Sequence, residues 1–170
     1  MDGTLAIIYL VTALTEMGYT HCPSGCLAVR DATPRLSLQA GAVEFQERRA
    51  GEEVYLEYAL PAARGPFQPV TAVSVTSDES TWVGFGLRSE VPLWGTGLYY
   101  EGSLIPGYYD PGNGPDLGGQ LQFRGSFGVA YAFENDIRIG LYYDHRSNSD
   151  TQDINPGLET YGLRVSIPFD

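Results

Sequence analysis

Residues 136–170 read DIRIGLYYDHRSNSDTQDINPGLETYGLRVSIPFD, and this stretch decides the fold. Two runs inside it, 137–147 and 159–169, alternate apolar residues with polar or small ones at a period of two, the mark of β-strands rather than helices. Each is about as long as a strand that crosses a membrane in a tilted barrel. In the first run Ile137, Ile139, Leu141 and Tyr143 share a phase with His145 and Ser147, while Arg138, Gly140, Tyr142, Asp144 and Arg146 hold the other. In the second, Glu159 leads a phase that continues through Tyr161, Leu163, Val165, Ile167 and Phe169, against Thr160, Gly162, Arg164 and Ser166. If the runs pair as an antiparallel hairpin across 148–158, the end of one meets the start of the other. His145, Ser147 and Glu159 then gather on one face, at one end.

That cluster has the composition of an acyl-transfer triad: a hydroxyl nucleophile, an imidazole base and a carboxylate that orients the base. A serine hydroxyl needs a neighbour to take its proton, and a positioned general base contributes about 10² to 10⁴ in rate. Residues two apart on a strand stand about 6.6–6.8 Å apart at the backbone, a span that histidine and serine side chains bridge by leaning together. The bland reading stands beside this one: a strand end leaving an apolar zone carries His, Ser and Glu for solvation alone.

From Arg35 onward the same rhythm continues. Strands read at 35–46, 51–60, 68–78, 80–90, 92–102, 118–133, 136–147 and 159–169 total eight, the smallest common membrane barrel, whose interior side chains fill. In the sixth, Leu121, Phe123, Phe127, Val129, Tyr131 and Phe133 alternate with Gln122, Arg124, Ser126, Gly128, Ala130 and Glu134. Arg124, Arg138 and Arg164 fall on the polar phase of three consecutive strands, where carboxylates such as Asp144 or Glu134 could pair with them inside a barrel. A small soluble, lipocalin-like barrel would place the phases the other way round; the 12 Tyr, Trp82, Trp94 and the aromatic ending favour the membrane version. The expected fold class is all-β, an eight-stranded antiparallel transmembrane β-barrel over 35–170 with an N-terminal extension over 1–34.

Connection lengths set an expected orientation. Turns at 91–92 and 134–136 are short and 103–117 and 148–158 are long, whereas PAARGPFQ after the second strand is an exception. Outer-membrane barrels keep short turns in the periplasm and longer loops outside, so the end of the seventh strand lies at the outer rim. By parity His145 and Ser147 point toward lipid, where an ionisable residue is costly enough to suggest a function.

HRSN at 145–148, NPGLE at 155–159 and the closing GLRVSIPF at 162–169 together resemble the C-terminal signature of the lipid A 3-O-deacylase family of outer-membrane barrels. The resemblance covers about 117–169; upstream only the strand rhythm agrees. It implies a triad of Ser147, His145 and Glu159, the Glu twelve residues after the Ser, and it implies that Asn148 or a backbone amide helps bind the oxyanion. Phe123 and Asn155 are further family positions that support the site. The implied substrate is the 3-hydroxyacyl ester of lipid A in lipopolysaccharide of a Gram-negative outer membrane, and the implied chemistry needs no metal or cofactor. A GxSxG elbow, an HExxH zinc motif and a phosphate-binding Gly-rich loop are absent from the sequence. The glycine and alternating hydrophobes of GLRVSIPF also resemble a barrel-assembly signal, with Asp170 after the aromatic as a departure; that feature speaks for address and not activity.

At 170 residues and 18.5 kDa the chain has single-domain length. It carries no run of 18 apolar residues, so no helical span is expected. A net charge of −11 and dispersed arginines argue against nucleic acid as a partner. LAIIYLVTAL, residues 5–14, has the size of a signal-peptide apolar region but lacks a preceding Lys or Arg and follows Asp2. Either the true start lies upstream, or the run is an ordered extension that packs on something. Cys22 and Cys26 bracket CPSGC: a disulfide suits an oxidising periplasm, free thiols are the other main reading, a metal site with His21 lacks a fourth ligand, and Pro23 makes a poor lipidation motif. The competing functional reading is a catalytically silent structural or accessory barrel that binds a protein partner through the N-terminal extension.

Overall fold

The structure is a computed structural model that describes residues 4–169; residues 1–3 and 170, including Asp2 and Asp170 discussed above, lie outside the described residues. The chain opens with helix α1 (Thr4–Glu16), a short turn Met17–His21 and a Cys22–Cys26 disulfide, which settles the two cysteines as paired. Strand β1 (Val29–Asp31) pairs with β4 (Ala62–Arg64) as a small separate ribbon. The other eight strands close into an antiparallel barrel: β2 (Arg35–Phe45), β3 (Arg48–Ala59), β5 (Gln68–Thr76), β6 (Thr81–Leu93), β7 (Leu98–Asp110), β8 (Leu121–Ala132), β9 (Arg138–Ser147) and β10 (Leu158–Pro168), with β10 returning to β2.

Along the barrel strands the outward phase is mostly apolar, and the inward phase carries the buried charges beside an apolar cluster that includes Val70, Trp82, Ile105 and Tyr109. Arg35, Glu53, Glu57, Arg88, Glu101, Arg124, Arg138, Asp144, Arg146 and Arg164 are each at most 4% exposed, while Leu38, Val54, Val73, Phe85, Leu141 and Leu163 are open on the outer wall. A water-soluble barrel has the reverse arrangement, so the lipocalin-like alternative is excluded by the observed phase.

An ion-pair lattice shares the lumen with that cluster. All ten basic residues of the chain are arginines, and six of them lie inside. The guanidinium fork suits bidentate pairing and stacking on rings in a way that a lysine ammonium does not. Arg124 donates to both oxygens of Glu53 at 2.9 Å each, and Arg146 donates to Glu53 Oε1 at 2.5 Å. Arg138 donates to Glu101 at 2.9 Å, and Tyr142 donates to the other oxygen of Glu101 at 2.5 Å. Arg124 and Arg164 lie 4.1 and 3.9 Å above the rings of Tyr55 and Tyr142. Asp144 pairs with Arg124, as expected; Glu134 does not, because it sits exposed in the turn 133–137. Glu53, Glu57 and Glu101 supply the lumen carboxylates instead.

Seven of the expected strands fall near their places, and the fifth moves. The expected strand from residue 92 turns at 94–97, where Trp94, Gly95 and Gly97 all hold positive φ (51°, 66°, 80°) and Thr96 N–H donates to Leu93 C=O at 3.1 Å. The stretch 103–110, expected as loop from its Gly, Pro and Tyr, is strand. Its proline is accommodated by a gap in the ladder: β6 and β7 pair at Gly84↔Gly107 and resume at Leu87↔Leu104, leaving Pro106 without a donor to supply on that side. Connections 46–47, 77–80, 111–120 and 148–157 lie at one rim, and 60–67, 94–97 and 133–137 at the other, where the barrel strands also begin and end. The two longest loops therefore share a rim, as the orientation argument requires.

Removing one partner from such a lattice leaves buried charge uncompensated, which costs about 3–5 kcal/mol. Glu53→Gln is expected to lose about that much in denaturant unfolding of the refolded barrel, with Arg124 and Arg146 both left short of a carboxylate. A loss within experimental error of zero would remove Glu53 from its central place.

Candidate active site

The end of β9 is held from inside and presented outside. Asp144 and Arg146 point into the lumen, where Asp144 meets Arg124 at 3.1 Å and accepts from Gln39 at 2.5 Å, and Arg146 is bonded to Glu53. The residues between and after them, His145 and Ser147, project to the outer wall. Anchors and presented groups alternate on four consecutive residues, so the lattice fixes the backbone that carries the site.

Register then assembles the outer face. His145 pairs across β10 with Glu159 and across β8 with Gly125. His145 Nδ1 lies 3.2 Å from Glu159 Oε1. Ser147 stands two residues further along the same face, with Phe123 of β8 as its cross-strand neighbour. The structure thus brings the histidine and carboxylate into contact and places the serine beside them. On the other side of Glu159 stands Glu44 of β2, a second outward carboxylate.

Asn148 and Asn155 meet in the loop that follows Ser147. Asn148 is fully buried; its Nδ2 donates to Leu117 C=O at 3.0 Å and to Ile154 C=O at 2.6 Å, and its N–H donates to Asn155 Oδ1 at 3.1 Å. Asn155 Nδ2 in turn donates to Asp150 Oδ1 at 2.8 Å. These bonds tie the loop 148–157 to the loop 111–120 and use the donors of Asn148. The turn after Asn148 is unusual: Ser149 and Asp150 both hold positive φ, 55° and 57°, a conformation that non-glycine residues adopt at a cost.

Directly below His145 and Glu159, one step toward the opposite rim, three rings cross the wall. Phe127, Tyr143 and Tyr161 are successive cross-strand partners on β8, β9 and β10, with centroids 5.9 and 5.0 Å apart. Val129, Leu141 and Leu163 form the next row and Ala40 of β2 closes its side. Together they line an open groove of about 660 Å³. Helix α1 lies to the other side, against β6, β7 and β8, and leaves this groove uncovered.

Two features of the site are not legible in the sequence. The groove draws one side chain from each of several strands, a pattern that only the register reveals. Gly157, inside NPGLE, holds φ 74°, and a β-carbon there would come within 2.9 Å of His145 Cε1. Only glycine fits both the backbone and the ring beside it.

Taken together, these features define an outer-membrane type of β-barrel with a histidine–carboxylate pair and a serine on the wall that meets lipid. The family model for lipid A 3-O-deacylase (PagL) matches residues 40–168, and the chain belongs to that family. Among solved structures, the outer membrane enzyme PagL aligns with a TM-score of 0.62 at 18% identity, covering 79% of this chain and 99% of that one. A de novo designed transmembrane β-barrel aligns at 0.57 with 10% identity, covering 82% and 98%. Neisserial surface protein A (NspA) aligns at 0.54 with 10% identity, covering 84% and 99%. At these identities the likeness is one of fold. Comparison with curated proteins gives no match. Family and fold make the chain an outer-membrane barrel of a lipid A deacylase, hence hydrolase, family.

Gly157→Ala would push the His145 ring aside; if the chemistry uses that ring, a shift of the order of 1 Å costs roughly 10²-fold. The expected result is a loss of that size in deacylation with unchanged heat-modifiable migration. Full activity in a folded Gly157→Ala barrel would remove the ring contact from the site.

Proposed function

We propose that the protein removes the ester-linked 3-hydroxyacyl chain at position 3 of lipid A by serine-type acyl transfer at Ser147, His145 and Glu159. The observation that carries this reading is the His145–Glu159 contact on the lipid-facing wall, directly above an apolar groove and on the same strand face as Ser147. A soluble substrate would never reach that wall. A membrane lipid lies against it.

In the proposed reaction the acyl chain lies along the groove below the pair. Seating the ester draws Ser147 Oγ toward His145 Nε2; such bonds commonly tighten only in the substrate complex. Ser147 Oγ attacks the ester carbonyl while His145 takes its proton, and Glu159 accepts from His145 Nδ1–H and stabilises the imidazolium. His145 passes the proton to the sugar oxygen as the C–O bond breaks. Water, deprotonated by His145, then attacks the acyl-serine, releasing the 3-hydroxy fatty acid and returning the proton to Ser147.

The tetrahedral oxyanion needs preorganised donors. With the Asn148 side chain and N–H and the Thr151 N–H committed within the loops, the reading assigns that task to the backbone amide of Ser149 or Asp150 and gives Asn148 and Asn155 the work of holding the turn in shape. Phe123 shields Ser147 from the side.

Incubating the folded barrel with purified lipopolysaccharide and weighing lipid A by mass spectrometry tests the proposal. The parent is expected to remove one 3-hydroxyacyl mass. Ser147→Ala should reduce the rate by at least about 10³-fold, with assembly intact because a hydroxyl on the outer wall supports no core. An unchanged lipid A with folded parent protein would favour the silent-barrel alternative.

A further inference from the structure

Ser147 and His145 are 6% and 8% exposed, whereas Leu141 and Leu163, on the same outward phase two rows away, are 72% and 52% exposed. On an open barrel wall such burial requires cover. Gly157 of the loop 148–157 covers one edge of the His145 ring, and α1 lies on another side. Leu5, in the first turn of α1, lies over Gly125, the cross-strand partner of His145, and a β-carbon built on Gly125 would come within 3.1 Å of Leu5 Cβ.

The rest of α1 descends the wall from that point. Tyr9 packs on Gly102 of β7, where a β-carbon would come within 3.1 Å of its ring, and Ser89 of β6 lies at the register position of Gly102. Tyr9 and Ala13 are buried, while Ile7, Ile8, Leu10, Val11 and Leu14 face outward and are exposed. The helix is thus apolar on both its docked and its open face. In lipid such a helix gains nothing from hydrophobic exclusion when it docks, since acyl chains are as apolar as its side chains; packing and interhelix-type polar contacts must hold it. Tyr9 also meets the Phe67 ring edge-on at 6.4 Å, but the polar contacts are thin. Thr12 reaches Tyr100 Oη at 3.3 Å, and the buried hydroxyls of Tyr9 and Ser89 have no hydrogen-bond partner among the described residues. An interface that buries unsatisfied polar groups is weakened by their lost solvation or pairing. At 13 residues, about 20 Å, α1 is also too short to be fixed across the bilayer.

We propose that α1 is a lateral lid on the lipid site, closed in this structure, whose first turn must leave Gly125 before an acyl ester reaches Ser147 from the bilayer. This rests on the deacylase reading above. Opening exchanges packing against the barrel for packing against lipid, so the two positions are close in free energy, as a lid requires.

The test is a lock. Leu5→Cys with Gly125→Cys places two β-carbons near disulfide distance, in the full chain and with His145, Ser147 and Glu159 unsubstituted; Gly125→Cys alone, given the same oxidation and reduction, separates the lock from the effect of a side chain beside His145. The double variant is oxidised in liposomes containing lipopolysaccharide, the bond is mapped by mass spectrometry, and lipid A is weighed before and after reduction, with the parent given the same reductant. The expected result is a disulfide joining positions 5 and 125 and deacylation at least about tenfold slower when oxidised, because the competent fraction is withdrawn, with recovery on reduction. Equal activity in the two states overturns the lid and leaves the deacylase standing. Failure of the bond to form in a folded barrel, or an intact mass showing that residues 4–26 are missing from the protein recovered from the outer membrane, overturns the docking itself. Inactivity of the parent and the reduced variant alike overturns the deacylase reading, and the lid falls with it.

Discussion

The constraint on which everything else rests is that six guanidinium groups must share the interior of an eight-stranded barrel. Each charge withdrawn from water carries a desolvation penalty of several kcal/mol, which only a close partner with good geometry offsets. The structure answers with carboxylates carried on other strands. Arg124 of β8 meets Glu53 of β3, Arg138 of β9 meets Glu101 of β7, and Arg164 of β10 reaches Glu57 of β3. The first link crosses the lumen and the other two each span one intervening strand, so all three oppose slippage of one strand past the next. A slip of one residue would turn every charged side chain toward lipid.

That opposition to slippage gives the outer wall its precision. The site is made of residues drawn from three strands: His145 from β9, Glu159 from β10 and Phe123 from β8. Their meeting depends on the registers β8–β9 and β9–β10 being held to a single residue. Asp144 and Arg146 are the pins, since each is bonded inward while its neighbour in sequence faces out. The lumen lattice and the lipid-facing chemistry are therefore two sides of the same four residues.

The sequence carries this alternation openly, which is why the barrel, its polar interior and the common face of His145, Ser147 and Glu159 can be read from it without coordinates. Period-two patterning reports which face a residue takes; it does not report what lies opposite across a lumen. For that reason Asp144 is recognisable as a partner, being near the arginines in sequence, while Glu53, Glu57 and Glu101 are not, and Glu134 misleads at a strand end that is in fact a turn. The fifth strand fails for a local reason. Gly, Pro and Tyr in 103–110 read as loop chemistry, yet a proline at a gap in one ladder is compatible with a strand, and the WGTG turn ahead of it hides behind an apparent alternation. Asn148 illustrates the limit of a motif: its position after the serine is legible, but which carbonyls its amide binds depends on two loops meeting in space.

Lipid as solvent changes what burial means on this molecule. In water, an apolar helix lying on an apolar wall would be held there by the hydrophobic effect; in a bilayer the same contact competes with acyl chains of equal polarity, and only shape decides. The wall under α1 offers shape through Gly102 and Gly125, where the absence of side chains lets Tyr9 and Leu5 approach the backbone. Beyond the Phe67 ring that meets Tyr9 edge-on, it offers little polar holding, because the two hydroxyls buried at that contact have no partner among the described residues. The groove on the other side of His145 is built by the opposite device, with three large rings standing proud of the strands. Small residues beneath a helix and large ones beside a furrow thus divide the same wall into a covered half and an open half. The histidine–carboxylate pair stands where the two meet.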